Sequence, residues 1–389
     1  MLKDFGIVDL PPLVPRHRWK SGEEGFVDIG GGIKLHYVVQ GKGSPTVVLF
    51  PPGPGNTLES FHSKAFDNLA ASARIIYVDP RGVGMSTWDP GAEGKYTAAQ
   101  QCDDVVKMLD VLGVDECVAL GWSFGGFIAR QFAERYPDRV AGLIQIAPSL
   151  YELPIGKLCG EKRTNKNQTE KELRDIKCIR AVEAEVLLAQ PGVTEWIAKA
   201  REFLALHGNR TVPLGKIMKN RGFEEDKIDL FLLDKIIGYN AYKRGYWRQQ
   251  YTKAPSDEHI AYFILHEERD DRYYKAMCDE IEKAKKNAPP CSDDPSWWLG
   301  PTLSGQSGIP VLLLEAKNDL TWGKERLENL SKAAEALKMS GNFRLVTFPS
   351  NHDMFRVFPN KFAKTVTNFV SALPGRYIPL PSRLPQNAL

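Results

Sequence analysis

Apolar positions in the first 150 residues come in short bursts, separated by polar turns and by stretches with helical spacing. Phe26 to Ile29 and Ile33 to Gln40 flank a Gly30-Gly31-Gly32 turn, which predicts a hairpin. Thr46 to Phe50 (TVVLF) and Arg74 to Asp79 (RIIYVD) are continuous apolar runs, suited to strands buried on both faces. Val105, Met108, Leu109 and Leu112 recur at three- and four-residue intervals and predict a helix over Ala98 to Leu112. A strand at Cys117 to Leu120, a helix through Phe127 to Ala133 and a strand at Val140 to Ile146 follow. Strands alternating with helices imply an α/β class: a mostly parallel central sheet flanked by helices.

That rhythm stops near Pro148. From Tyr151 to Gly300 the chain is charge-rich, with amphipathic helical patterns at Glu170 to Leu188, Val193 to Leu206, Lys227 to Ile237 and Asp271 to Lys286. The alternation then resumes. Pro310 to Ala316 and Asn342 to Pro349 predict strands, and Lys324 to Lys338 and Asn360 to Ala372 predict helices. The simplest organisation is one sheet domain in two parts, 1–150 and 301–373, interrupted by a helical cap insertion at 151–300. Residues 374–389 hold four prolines and no period, and are expected to form a tail. A chain of 389 residues is long enough to bury a large core in this arrangement.

Composition narrows the function classes. With 43% hydrophobic and 25% charged residues the chain reads as an ordinary soluble globular protein. Its net charge is only +3 and no basic block stands out, which argues against a nucleic-acid partner. Seven histidines are scattered without metal-ligand spacing, so no metal is expected. The six cysteines show no CxxC and no disulfide framework, consistent with free thiols in a reducing, cytoplasmic setting. The opening Met1-Leu2-Lys3-Asp4-Phe5 does not resemble a signal peptide, and nothing approaches the roughly 20 apolar residues of a membrane span.

The chemistry concentrates in three loops. Gly121-Trp122-Ser123-Phe124-Gly125 lies between a predicted strand and a predicted helix, the context of a nucleophile elbow. Such a turn forces the serine into strained backbone geometry, which glycines on either side make room for. A serine hydroxyl needs a base to take its proton, and the base needs an orienting acid. Asp319 follows the strand Pro310 to Ala316, and His352 follows the strand ending near Phe348. The order Ser, Asp, His matches that expected where a nucleophile elbow tops a sheet of this architecture. Ser123 is therefore expected as nucleophile, His352 as proton shuttle and Asp319 as the group that fixes the imidazole tautomer. An oxyanion needs two N–H donors. Phe124, beside the nucleophile, supplies one. In Pro51-Pro52-Gly53-Pro54-Gly55 the prolines have no N–H, so Gly53 is the first residue able to supply the other. The alternative is a rigid Pro/Gly turn without a catalytic role. Asp79-Pro80-Arg81-Gly82-Val83-Gly84-Met85-Ser86 also follows a strand, but lacks the Lys-Ser/Thr ending of a phosphate loop. It reads as a structural loop in which Arg81 pairs with carbonyls or an acid.

Together these residues resemble the α/β-hydrolase superfamily, and within it the proline iminopeptidase family of serine aminopeptidases. Members carry His-Gly-Gly-Pro-Gly where this chain has Pro51-Pro52-Gly53-Pro54-Gly55. They carry Asp-x-Arg-Gly-x-Gly-x-Ser, matched by Asp79 to Ser86, and Gly-x-Ser-x-Gly-Gly, matched by Gly121 to Gly126. One branch has Leu-His-Glu in its cap, similar to Leu265-His266-Glu267. The resemblance implies an α/β-hydrolase fold with a helical cap over the site, no cofactor, and cap carboxylates that hold the free α-amine of a short peptide. Glu267 is the matching candidate for that contact, or else an exposed helix acid. Trp297 and Trp298 either wall an apolar substrate pocket or pack the cap on the core. Pro51-Pro52 replaces His-Gly, a departure that removes an N–H and stiffens the loop. The expected activity is a serine hydrolase that removes an N-terminal proline or another small residue. The alternatives are hydrolysis of an ester, lactone or amide of a small apolar molecule, acyl transfer or cyclisation, and a ligand receptor without turnover. A small-molecule or short-peptide substrate is the only partner implied, and the oligomeric state is left open.

Overall fold

A computed structural model describes residues 2–14, 22–87, 96–149, 180–207, 214–220, 222–244, 275–277, 279–280, 283, 308–319, 335 and 342–373. Glu267, Trp297 and Trp298 lie outside the described residues, as do the tail 374–389, most of the expected helix Lys324 to Lys338 and most of Asp271 to Lys286. The chain divides into two compact units. One comprises Met1–Arg18 and Arg163–Asp271, the other Trp19–Lys162 and Arg272–Leu389. The N-terminal segment thus groups with the helical unit, and the chain from Arg272 with the sheet, unlike the expected boundaries at 1–150 and 151–300.

Among the described residues the sheet unit has eight strands: β1 (Gly22–Asp28), β2 (Lys34–Gln40), β3 (Thr46–Phe50), β4 (Arg74–Val78), β5 (Cys117–Trp122), β6 (Val140–Ile146), β7 (Val311–Ala316) and β8 (Phe343–Phe348). Their order is β1-β2-β4-β3-β5-β6-β7-β8. Pairing is antiparallel for β1–β2 and β2–β4, and parallel from β4 to β8. Every residue of β3, β5 and β7 is buried. Alternate side chains enter opposite cores because successive Cβ atoms point to opposite faces. Val48 and Phe50 join the core formed with α2 (Ala98–Val111) and α3 (Phe124–Arg135). Val47 and Leu49 join the core formed with α1 (Lys64–Leu69) and a helix after β8, Pro359–Ser371. Each such side chain contributes about 1.5–3 kcal/mol by leaving water, which explains the unbroken apolar runs.

Helix ends are set by identifiable groups. Thr97 Oγ1 accepts the Gln100 N–H at 3.0 Å, and Glu280 accepts the Ala98 N–H at 2.8 Å, so α2 is capped twice. Cys102 and Cys117 are free thiols buried in the core, and burial pushes the Cys117 thiol up to about 12. They pack as small hydrophobes.

In the helical unit, α4 (Ala181–Leu188), α5 (Pro191–His207), α6 (Leu214–Asn220) and α7 (Ile228–Arg244) are joined by the N-terminal segment. On α5 the buried residues Val193, Trp196, Ile197, Ala200 and Phe203 recur at three- and four-residue spacing. Asn240 on α7 accepts the Val8 and Asp9 N–H groups at 3.0 and 3.1 Å and donates to the Asp9 carbonyl at 2.7 Å. Trp196 donates its indole N–H to the Pro11 carbonyl at 2.7 Å. Residues 8–11, which follow a short 3₁₀ turn (Leu2–Phe5) and lie outside any helix or strand, have these backbone groups satisfied by two side chains of the helices.

Candidate active site

Because β3, β5, β7 and β8 run parallel, their C-terminal ends lie along one edge of the sheet. The loops at those ends carry the expected Gly53, Ser123, Asp319 and His352. Ligands of open α/β sheets bind at this edge.

Ser123 is the residue between β5 and α3, with φ 55° and ψ −118°. A non-glycine residue there is strained, and the surroundings hold it in place. Its N–H donates to the Ile146 carbonyl at 2.8 Å, and its carbonyl accepts from Ser149 at 2.8 Å and Gly126 at 3.0 Å. The turn tolerates no side chain at its flanks. A Cβ on Gly121 would stand 2.0 Å from the Gly125 carbonyl oxygen, and one on Gly125 would stand 1.9 Å from that of Phe50. Phe124 heads α3, where N–H groups of the first turn face outward along the axis and favour developing negative charge.

His352 Nδ1 lies 2.7 Å from Asp319 Oδ2, and both residues are buried. The two loops are laced together by backbone bonds, Lys317 N–H to Phe348 O at 2.8 Å and Asn318 N–H to Ser350 O at 3.0 Å. Trp122, the chain neighbour of Ser123, donates its indole N–H to the His352 carbonyl at 3.0 Å. Its ring stands 5.8 Å from the imidazole. Thus the elbow, the acid loop and the histidine loop meet.

The Pro51 to Gly55 loop leaves β3 with Pro51 and Pro52 buried and Gly53 exposed at φ 133°. Only glycine is at ease with that backbone. The loop continues into a 3₁₀ turn, Leu58–Phe61. Asp79, wholly buried at the end of β4, accepts the Leu58 N–H at 2.8 Å and the Met85 N–H at 3.1 Å, and lies 2.7 Å from His36 Nδ1. His36 Nε2 lies 2.8 Å from Glu24. Arg81 binds Asp104 with both arms of its fork, at 2.5 and 2.6 Å, which gives that loop the structural role expected of it. Among the described residues no group of three His, Cys, Asp or Glu side chains could hold a metal ion.

Sequence reasoning passed over Asp353 and Arg356. Asp353 is 2% exposed, and burial pushes its carboxyl up to about 6 despite the opposing pull of Arg356 and His352; nearby Asp319 adds to the rise. Its Oδ1 is buried without a hydrogen-bond partner among the described residues. Arg356 Nε lies 3.8 Å from Asp353 Oδ2. No sequence period marks these two residues, and Arg356 takes its other partner, the Ser60 carbonyl, from a remote segment.

Residues 45–162 match a family described as having the alpha/beta hydrolase fold. A 2-hydroxymuconate semialdehyde hydrolase of Pseudomonas sp. (strain CF600) is 33% identical over 135 residues, 35% of this chain and 47% of that protein. A proline iminopeptidase of Pestalotiopsis fici is 34% identical over 121 residues, 31% of this chain and 42% of that protein. The chain spans about half, or less, of the length of the curated relatives it matches. Among solved structures, a proline iminopeptidase-related protein of Thermus thermophilus superposes with a TM-score of 0.51 at 19% identity, covering 90% of this chain and 98% of that one. No helix among the described residues is long and apolar enough to cross a membrane.

Proposed function

We propose that this chain, an α/β hydrolase by fold, is a serine hydrolase in which Ser123 attacks a carbonyl carbon, His352 takes and returns the proton, and Asp319 orients the imidazole. One observation carries the reading: a strained serine at the head of a helix, tied through Trp122 to a histidine whose Nδ1 is 2.7 Å from a buried carboxylate. A serine kept at φ 55° has a cost, and the usual return for such strain is a hydroxyl presented to substrate. The N–H groups of Gly53 and Phe124 would bind the oxyanion as the tetrahedral centre forms. Collapse of that centre expels the amine or alcohol, protonated by His352. Water then attacks the acyl-serine with His352 again as base.

The finer reading is an aminopeptidase that removes a small N-terminal residue, in keeping with the motifs shared with proline iminopeptidases and with the relative of that name. The similarity to a semialdehyde hydrolase favours a second reading, hydrolysis of a small non-peptide substrate. Incubation with a fluorophosphonate probe, p-nitrophenyl esters and prolyl-nitroanilide separates them. Labelling with prolyl-nitroanilide turnover, both lost in Ser123→Ala, is the expected result. Ester turnover alone selects the second reading. Labelling without turnover of any substrate points to a receptor or to acyl transfer, and no labelling overturns the serine mechanism. For the amine contact, Glu267→Ala is expected to weaken prolyl-nitroanilide turnover more than ester turnover. Equal losses would reject Glu267.

A further inference from the structure

The 3₁₀ turn that continues the proposed oxyanion loop is gripped from two sides. Asp79 accepts the Leu58 N–H at its start. Further along, the Ser60 carbonyl accepts a hydrogen bond of 2.5 Å from Arg356 Nη2. Arg356 belongs to α8 (Met354–Val357), the short helix that begins two residues after His352; α9 (Pro359–Ser371) follows it. The guanidinium carbon lies 5.7 Å from the Trp122 ring and 5.2 Å from the Phe355 ring. Trp122 and Phe355 meet edge to face at 4.9 Å. Trp122 in turn precedes the nucleophile and binds the His352 carbonyl. One cation therefore reaches the 3₁₀ turn that follows the proposed oxyanion loop directly, and both the elbow and the histidine loop through a single ring. Arginine suits this place because its fork donates in the plane while its face stacks on indole.

We propose that Arg356 is a positioning residue, which fixes the oxyanion loop against the histidine loop through the Ser60 carbonyl and the Trp122 ring. The role rests on the serine-hydrolase reading. Arg356 need not touch substrate. Donors aimed at an oxyanion work only if held in place before the reaction, and a displacement of about 1 Å can cost on the order of 100-fold in rate. Removing the cation frees the turn to move without removing any reacting group. Binding of the uncharged ground state is little affected, so the loss falls on kcat.

The test compares wild type, R356Q, R356K and S123A as full chains. Steady-state kinetics on the best chromogenic substrate is paired with amide hydrogen exchange over residues 53–62, which needs no turnover. R356Q is expected to lose roughly 10- to 100-fold in kcat with KM within about threefold, to bind a trifluoromethyl ketone inhibitor weaker by the same factor, and to exchange faster over 53–62. R356K, which keeps the charge but not the fork and planar face, is expected to fall between. A folded R356Q with wild-type kcat overturns the proposal. So does a kcat loss with unchanged exchange over 53–62 and unchanged inhibitor affinity. If wild type and S123A are equally inactive, the hydrolase reading fails, and with it this role; faster exchange in R356Q would then report a structural clamp only.

Discussion

At the elbow, Ser123 is held by backbone packing: φ 55°, a Gly125 carbonyl 2.0 Å from where a Gly121 side chain would begin, and the Phe50 carbonyl at the end of β3, remote in sequence, 1.9 Å from where a Gly125 side chain would begin. At the loop after β8, His352 is held by partners far away in the chain: Asp319 is 33 residues distant and Trp122 is 230. Four residues on, Arg356 binds a carbonyl 296 residues away. Crowding of the first kind is all or nothing, since backbone cannot yield to a Cβ. Polar contacts of the second kind are graded, because each bond adds about a kcal/mol or two and partners can shift.

The comparison is broken most severely by Ser123→Ala, for which kcat is expected to fall by about 10⁴ or more with the fold intact. Steady-state turnover and circular dichroism check it. Asp319→Asn keeps the shape but presents the wrong imidazole tautomer, and a fall approaching 10⁴ in kcat with little change in KM is expected. Gly125→Ala tests the steric side. The added methyl meets the Phe50 and Pro51 carbonyl oxygens at 1.9 and 2.5 Å, and a destabilisation of about 3 kcal/mol is expected by urea unfolding, with loss of probe labelling. A Gly125→Ala protein as stable and reactive as wild type would remove the distinction between the two regions.

The smallest effect sharpens the polar side. The Asp353 carboxyl, raised by burial to about 6, holds its proton more tightly folded than unfolded between roughly pH 4 and 6. The stability this confers is complete below that window and lost as pH rises through about 6. Asp353→Asn removes the dependence. Its unfolding free energy is expected to exceed wild type by about 2–3 kcal/mol at pH 8 and to match it near pH 4. Urea titrations at the two values check the sign, and a gain at low pH instead would reverse it.

Strands β3, β4, β5 and β6 fell within a residue or two of the apolar runs that predicted them, as did β7, β8 and α9 near the C-terminus. Short elements escaped notice: α1, α6 and α8 span only six, seven and four residues, too few to display a period. The N-terminal segment also gave no sign that it groups with the helices, since its attachment depends on Asn240 and Trp196.

The amino-acid order by itself determined the alternation of elements, the elbow and the succession of Ser123, Asp319 and His352. All of these follow from short-range rules of side-chain period and glycine placement. Only the tertiary structure decided that Asp79 and Arg356 grip the same 3₁₀ turn, that Arg81 is committed to Asp104, and that Asp353 loses its water. Those outcomes depend on which groups meet across the fold and on how deeply they are buried, and neither quantity is written in local sequence spacing.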